Sequence, residues 1–135
     1  MDYSYLLAPF LAWLCCGITK FLVNCLKEKR LAFDLIGYGG MPSNHSAIVS
    51  SMAALIAFKE GIDTPAFGVA LTLVFIVVMD ANGLRKKVEA QAIEMNKLKN
   101  YTAPVLRERV GHSKAEILVG TVIGILVGFI CQIVL

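Results

Sequence analysis

Four apolar segments, Tyr5 to Leu26, Ser46 to Phe58, Ala66 to Met79 and Ala115 to Leu135, confine this chain to the membrane-protein class. The first and last are about 20 residues long, enough to cross roughly 30 Å of hydrocarbon, while the middle two are shorter and lean on polar flanks. A hydrophobic share of 57% agrees with that class. The expected fold is all-α: a polytopic membrane helical bundle with about four transmembrane helices plus one interfacial amphipathic helix. Residues 1–135 form a single integral membrane domain in this reading, with tilted or locally thinned packing around the short spans. The first segment does not read as a signal peptide, because Asp2 stands where a basic n-region belongs and no small-residue cleavage pattern follows.

Charge placement orients the bundle more than the net charge of +3 does. Lys27, Lys29 and Arg30 fall in the first loop, and Arg85, Lys86, Lys87, Lys97, Lys99, Arg107 and Arg109 in the third. The second loop sets only Lys59 against Glu60 and Asp63. The positive-inside rule then places the first and third loops in the cytoplasm and both termini on the opposite side of a plasma or organelle membrane. The basic residues lie next to membrane helices with few aromatics among them, so anionic membrane lipids, not nucleic acid, are their expected partners. Cys15, Cys16, Cys25 and Cys131 lie within or at the ends of apolar segments without a Cys-x-x-Cys pair or nearby histidines, which argues against a disulfide framework or zinc site.

The stretch Gly39-Gly40-Met41-Pro42-Ser43-Asn44-His45-Ser46 reads as an anion cradle. Its glycines let the backbone approach a ligand, Pro42 stiffens the entry, and Ser43 or Asn44 can cap a helix starting near Ser46. Free N–H groups and the dipole of that helix end favour phosphate, and His45 adds a group that exchanges protons near neutral pH. An ordinary capped turn would carry the same residues, so the case depends on what else reaches this place.

Helix one ends in Lys20, Asn24 and Lys27, the two lysines sharing a face two turns apart; Lys20 either snorkels to the headgroups or enters a site. Helix two is rich in Ser and Ala and is expected at the centre of the bundle. Asp80 closes helix three beside Arg85, with pairing to Arg85 and a hydrated helix stop at Gly83 standing as equal alternatives. Leu84, Val88, Ala92 and Met95 form the apolar stripe of the interfacial helix, with Gln91 and Asn96 at its border. After a break at Pro104, His112 and Glu116 stand four apart at the start of helix four, so the carboxylate can orient the imidazole, unless it pairs with Lys114 while His112 caps the helix. Gly120, Gly124 and Gly128 give helix four a packing face that suits an internal neighbour or a homo-oligomer.

Four crossings bring Lys20, Lys27, His45, Asp80, Arg85, His112 and Glu116 to one membrane face. Cations, N–H groups, a nucleophile and a proton donor together suit a phosphate ester. The carboxylates are few and scattered, so no metal and no cofactor is expected.

Gly39 to Ala47, Asp80 to Arg85 and Gly111 to Glu116 carry, in order, Gly-Gly-Met-Pro-Ser-x-His-Ser-Ala, Asp-Ala-x-Gly-x-Arg and Gly-His-x-x-x-Glu. In these the chain resembles the small divergent membrane branch of the type 2 phosphatidic acid phosphatase and vanadium haloperoxidase superfamily. Against the broader superfamily, Lys20-x6-Lys27 has lysine for arginine and lacks the following proline, Asn44 replaces glycine, and Glu116 replaces aspartate. Arg107 or Arg85 stands in for an arginine whose expected place falls at Leu106. The resemblance implies that His112 is a nucleophile forming a phosphohistidine, Glu116 its orienting partner and His45 the general acid. It also implies that Lys20, Lys27, Arg85 or Arg107, and the N–H groups of Ser43 and Asn44, hold phosphate; Asp80 is counted with His112, His45 and Glu116 among the catalytic candidates. The expected activity is metal-independent hydrolysis of a lipid or isoprenoid phosphate at the cytoplasmic interface. The competing reading is a non-catalytic protein that binds anions or lipid headgroups, or a small subunit of a membrane assembly.

Overall fold

The structure is a computed structural model that describes residues 2–36, 39–98 and 105–135; the Pro104 break and Lys99 lie outside them. Among the described residues the fold is carried by five helices: α1 (Ser4–Glu28), α2 (Asn44–Lys59), α3 (Pro65–Asn82), α4 (Leu84–Leu98) and α5 (Lys114–Val134). One 3-10 turn, Phe33–Leu35, lies between α1 and α2. No strand occurs among the described residues.

The starts of the later helices are set by side chains that satisfy otherwise unpaired first-turn N–H groups. Ser43 caps α2 by accepting from the Ser46 N–H. Thr64 accepts from the Phe67 N–H, and Pro65 follows at the first helical position of α3, where its missing N–H costs nothing. Ser113 and Glu116 close a reciprocal capping box on α5.

Among the described residues three helical stretches are long and apolar enough to cross a membrane: Ser4–Glu28, Pro65–Leu98 and Lys114–Val134. The 16 residues of α2 rise only about 24 Å at 1.5 Å per residue, short of a full hydrocarbon core. A helix, α4, carries the Leu84, Val88, Ala92 and Met95 stripe and continues directly from α3. The Gly83 N–H bonds to the Met79 carbonyl and the Gly83 carbonyl accepts from Lys87, so helical bonding carries across the join. A Cβ at Gly83 would lie 2.8 Å from the Met79 carbonyl oxygen, which is why glycine occupies the bend.

The small-residue helix α2 sits at the centre, packed against α1, α3 and α5. Gly120, Gly124 and Gly128 lie against the backbone of Ser43, Ala47 and Ser51 in turn, so α5 and α2 run parallel at backbone contact. That glycine face is therefore taken up inside the chain. On α1 the buried residues are Ser4, Ala8, Ala12, Cys16 and Lys20, one every fourth position, making a single inward stripe. Ala8, Ala12 and Cys16 meet Ala47, Leu55, Val127 and Cys131 in the main core. At the far end Lys59 donates 2.8 Å hydrogen bonds to Asp2 and Ser4, which fixes α1 antiparallel to α2. The C-termini of α1 and α3 and the N-termini of α2 and α5 consequently meet at the opposite end.

Candidate active site at the helix ends

The loop entering α2 is held by backbone contacts. Gly40 has φ +136°, a conformation side-chain-bearing residues avoid. The Gly39 N–H donates 3.0 Å to the Arg109 carbonyl, and the Ser43 N–H donates 3.0 Å to the Glu116 carbonyl. Ser43 is completely buried, its hydroxyl accepting from both the N–H and the hydroxyl of Ser46. The amide of Ser43, expected to hold phosphate, is thus committed to α5. Asn44 and His45 fill the first turn of α2 and face a cavity.

His112 arrives on a segment clamped from several directions. Its N–H donates 3.1 Å to the Ala81 carbonyl at the end of α3. The Glu89 carboxylate on α4 accepts from the Val110 N–H (3.1 Å) and the Gly111 N–H (2.9 Å). Gly111 presses on the Lys86 backbone, where a Cβ would approach to 3.1 Å. Asn96 brackets Leu106, donating to its carbonyl and accepting from its N–H, both at 2.8 Å, and also donates to Glu108. Glu89 stands out in the sequence only as a polar residue of an amphipathic helix, whereas Asn96, at the border of the apolar stripe, is one the sequence lets reach the site.

The imidazole of His112 is 3% exposed, and neither ring nitrogen has a hydrogen-bond partner among the described residues. The Asn44 side-chain oxygen is likewise buried and unpartnered. Buried polar atoms are nearly always satisfied, so two such unpartnered groups beside one cavity make a candidate functional site. The His45 ring meets His112 edge to face, centroids 6.1 Å apart, from an exposed position.

A cavity of about 560 Å³ joins these groups. Its polar wall includes Lys20, Asn24, Asn44, His45, Arg85, Arg107 and His112. Lys20, the last member of the α1 stripe, is only 8% exposed and points into the bundle, not toward headgroups. Arg85 is held by Asp80 at 2.8 Å, so of the two readings of Asp80 the paired one is found. Asn24, one turn beyond Lys20, shares its face and joins the wall. Lys27 is exposed and outside the cavity, because α1 has by then outrun the level at which α2 and α5 begin.

Glu116 departs from its expected place as well. Its carboxylate accepts 2.9 Å from the Ser113 N–H in the capping box, and the expected hydrogen bond to the His112 ring is absent. At the third position of α5, the bond back to the cap residue is the nearer option. Its charge still favours protonated His112, but burial foremost, and then the Lys20 charge, outweigh it and push the His112 pKa down to about 4. His45 precedes the apolar run of α2; its pKa is lowered too, first by the partial loss of solvent around the ring at the cavity and then by Arg85 and Lys20. His112 is therefore a neutral imidazole at pH 7, with free lone-pair capacity and cations around it. Among the described residues no three His, Cys, Asp or Glu side chains gather where a metal ion could be held.

These features define an all-helical membrane protein with a buried histidine, an exposed histidine and basic residues converging at one end of its helices. The chain belongs to the Divergent PAP2 family, which it matches over residues 1–127. It is similar to the uncharacterized membrane protein YuiD of Bacillus subtilis (strain 168), with 29% identity over 140 residues that cover 90% of this chain and 89% of that protein. No solved structure matches the chain.

Proposed function

We propose that this protein is a metal-independent membrane phosphatase that hydrolyses a phosphomonoester of a lipid or isoprenoid through a phosphohistidine, with the site at the cytoplasmic interface. The observation that carries the reading is the buried, unpartnered, neutral His112 facing His45 across a cavity that also holds Lys20 and Arg85. In the first step a ring nitrogen of His112 attacks phosphorus and the ester P–O bond breaks. His45, protonated, donates its proton to the departing alkoxide, giving the alcohol. In the second step His45 takes a proton from water, the resulting hydroxide attacks the phosphohistidine, and the P–N bond breaks to release inorganic phosphate and restore His112. Lys20, Arg85 and Arg107 offset the charge on the phosphoryl oxygens, and Asp80 holds Arg85 in place.

A second reading, an anion- or headgroup-binding protein without turnover, is favoured by one observation: the Glu116 carboxylate is engaged by Ser113 and leaves the His112 ring unoriented. Phosphate release from lipid and isoprenoid phosphates by the purified protein, beside His112→Ala and His45→Ala variants of matched folding, decides between them. Release abolished by His112→Ala and strongly reduced by His45→Ala supports the phosphatase; no release, or release indifferent to both histidines, supports binding alone.

A further inference from the structure

The cavity has a second, apolar wall that the chemistry above does not use. Trp13, Leu14, Gly17, Ile18 and Phe21 of α1 form it, faced by Phe33 and Ile36 at the 3-10 turn. On α1 these positions recur at three- and four-residue steps, so they make one stripe beside the inward stripe that ends at Lys20. From the level of Lys20 the apolar stripe descends to Trp13, about 10.5 Å along the helix axis and into the depth of the bilayer. Gly17 opens a notch in its middle: a Cβ built there meets nothing within 4 Å. Phe33 packs on Phe21 with ring centroids 5.0 Å apart and covers the end nearest the polar wall.

We infer that this notched wall seats one hydrocarbon chain of the phosphate ester, laid along α1 across Gly17 beneath the 3-10 turn, so that Gly17 selects esters by the shape of their tail. The inference rests on the reading of the polar wall as a phosphate site. Its support is continuity: one cavity joins cations at one end to an apolar trough at the other, which is the outline of a single-chain amphiphile with an anionic head. The notch is one side chain wide, flanked by Leu14, Ile18 and Phe21. A chain arriving from lipid is already in apolar surroundings and gains little from burial, so the trough acts by position and exclusion. It holds the ester with its phosphorus at the level of His112 and rejects tails too bulky to lie in the notch.

The test fills the notch. Gly17→Leu places a strong helix former in open space and is expected to leave the fold intact, checked by thermal unfolding beside the unaltered protein. The probe is a linear alkyl phosphate carrying a diazirine in its chain, photolysed with the detergent-purified protein and compared with the alkyl alcohol of the same chain. The expected result is labelling of residues 13–21 and 33–36, about tenfold stronger for the phosphate than for the alcohol, and about tenfold weaker in Gly17→Leu. Equal labelling by the alcohol, label spread over the outer faces of α3 and α5, or label unchanged in Gly17→Leu each overturns the inference. Phosphate release from a chainless soluble phosphomonoester, measured in Gly17→Leu and His112→Ala, keeps the two readings apart. Release lost only in His112→Ala, with labelling unchanged in Gly17→Leu, removes the trough and leaves the phosphatase standing. Release indifferent to His112, with labelling lost in Gly17→Leu, does the reverse.

Discussion

His45 and His112 face each other edge to face at 6.1 Å, one exposed at the cavity and the other 3% exposed beneath it. They reach this position from separate helix ends, α2 for His45 and the segment before α5 for His112, and no direct hydrogen bond joins them. The asymmetry of their surroundings separates their roles: a buried neutral ring suits attack on phosphorus, and an accessible ring suits proton exchange with a leaving group or water.

Loss of each ring is expected to have a different kinetic consequence. His112→Ala removes the atom that bonds to phosphorus and should bring phosphate release to background. His45→Ala should lower kcat by roughly 10²- to 10⁴-fold, the range for a positioned acid, and rapid-quench trapping should still detect a histidine-bound phosphoryl group. Equal residual rates in the two variants would contradict this division.

The pH profile follows from the two lowered pKa values. In the proposed reaction His112 must be unprotonated to attack, and its pKa is pushed down to about 4. His45 must be protonated to donate and loses its proton below its ordinary value of 6.5. A plot of kcat/KM should therefore rise through about pH 4 and decline before pH 6.5, giving an acid optimum. Lys20→Met removes the positive charge that is second only to burial in lowering the His112 pKa, so the acid limb should move up while KM increases. Lys27→Met, outside the cavity, should change neither.

The same group makes stability pH-dependent. Because the folded-state pKa of His112 lies below its unfolded value, the unfolded chain binds the extra proton between about 4 and 6.5. The contribution is present above pH 6.5 and is lost as pH falls toward 4. Thermal unfolding in detergent across that window should show Tm falling with pH, and a shallower fall in His112→Gln.

Glu89 tests the clamp behind His112. Glu89→Ala removes the acceptor of two backbone N–H bonds, each worth about 1.5–3 kcal/mol when one partner is charged. We expect kcat to fall about tenfold, because the clamp positions the segment that carries His112, while Lys20 and Asn44 stand on α1 and α2 and Arg85 stays held by Asp80. Glu89→Gln keeps a carbonyl acceptor and should recover most of the loss.

The glycine face offers a contrast between two sites of the same residue type. A Cβ at Gly124 would run into the Ala47 backbone, and a backbone atom cannot rotate away. Gly124→Ala should cost about 1–3 kcal/mol or more through overpacking. Gly68 on α3 has nothing within 4 Å of a built Cβ, and Gly68→Ala should be neutral or stabilising by up to about 1 kcal/mol. Equal Tm shifts for the two would refute the backbone-contact account.

Much of this arrangement is visible in the sequence, and the rest fails for identifiable reasons. Alternating apolar segments and polar loops bring His45, Arg85 and His112 to one end by parity alone, and the structure gathers them there. The inward turn of Lys20 is legible only once Ser4, Ala8, Ala12 and Cys16 are read with it as a four-residue repeat; taken singly, a lysine near a helix end suggests snorkelling. Lys27 keeps the right face but lies two turns too far along, and periodicity carries no information about where a neighbouring helix starts. For Glu116 the pattern Ser113-x-x-Glu116 is a capping-box signature, so the local bond competes with the longer one to His112. Glu89 and Asn96 act on chain 10 to 22 residues away, through pairings that only the folded third loop creates.

The backbone contact of α5 with α2 has a consequence for how such a protein can diversify. Gly120, Gly124 and Gly128, with the Ser43 amide on the Glu116 carbonyl, bolt together the two helices whose starts bear the histidines, without using any side chain that faces the cavity. The apolar wall belongs to α1 and the 3-10 turn. In the proposed reading the reacting histidines and the tail-selecting wall thus lie on separate pieces of chain, with α1 lending Lys20 to the polar wall from its inward stripe, and substitutions along the apolar face of α1 can retune which molecule enters while the reacting pair keeps its spacing.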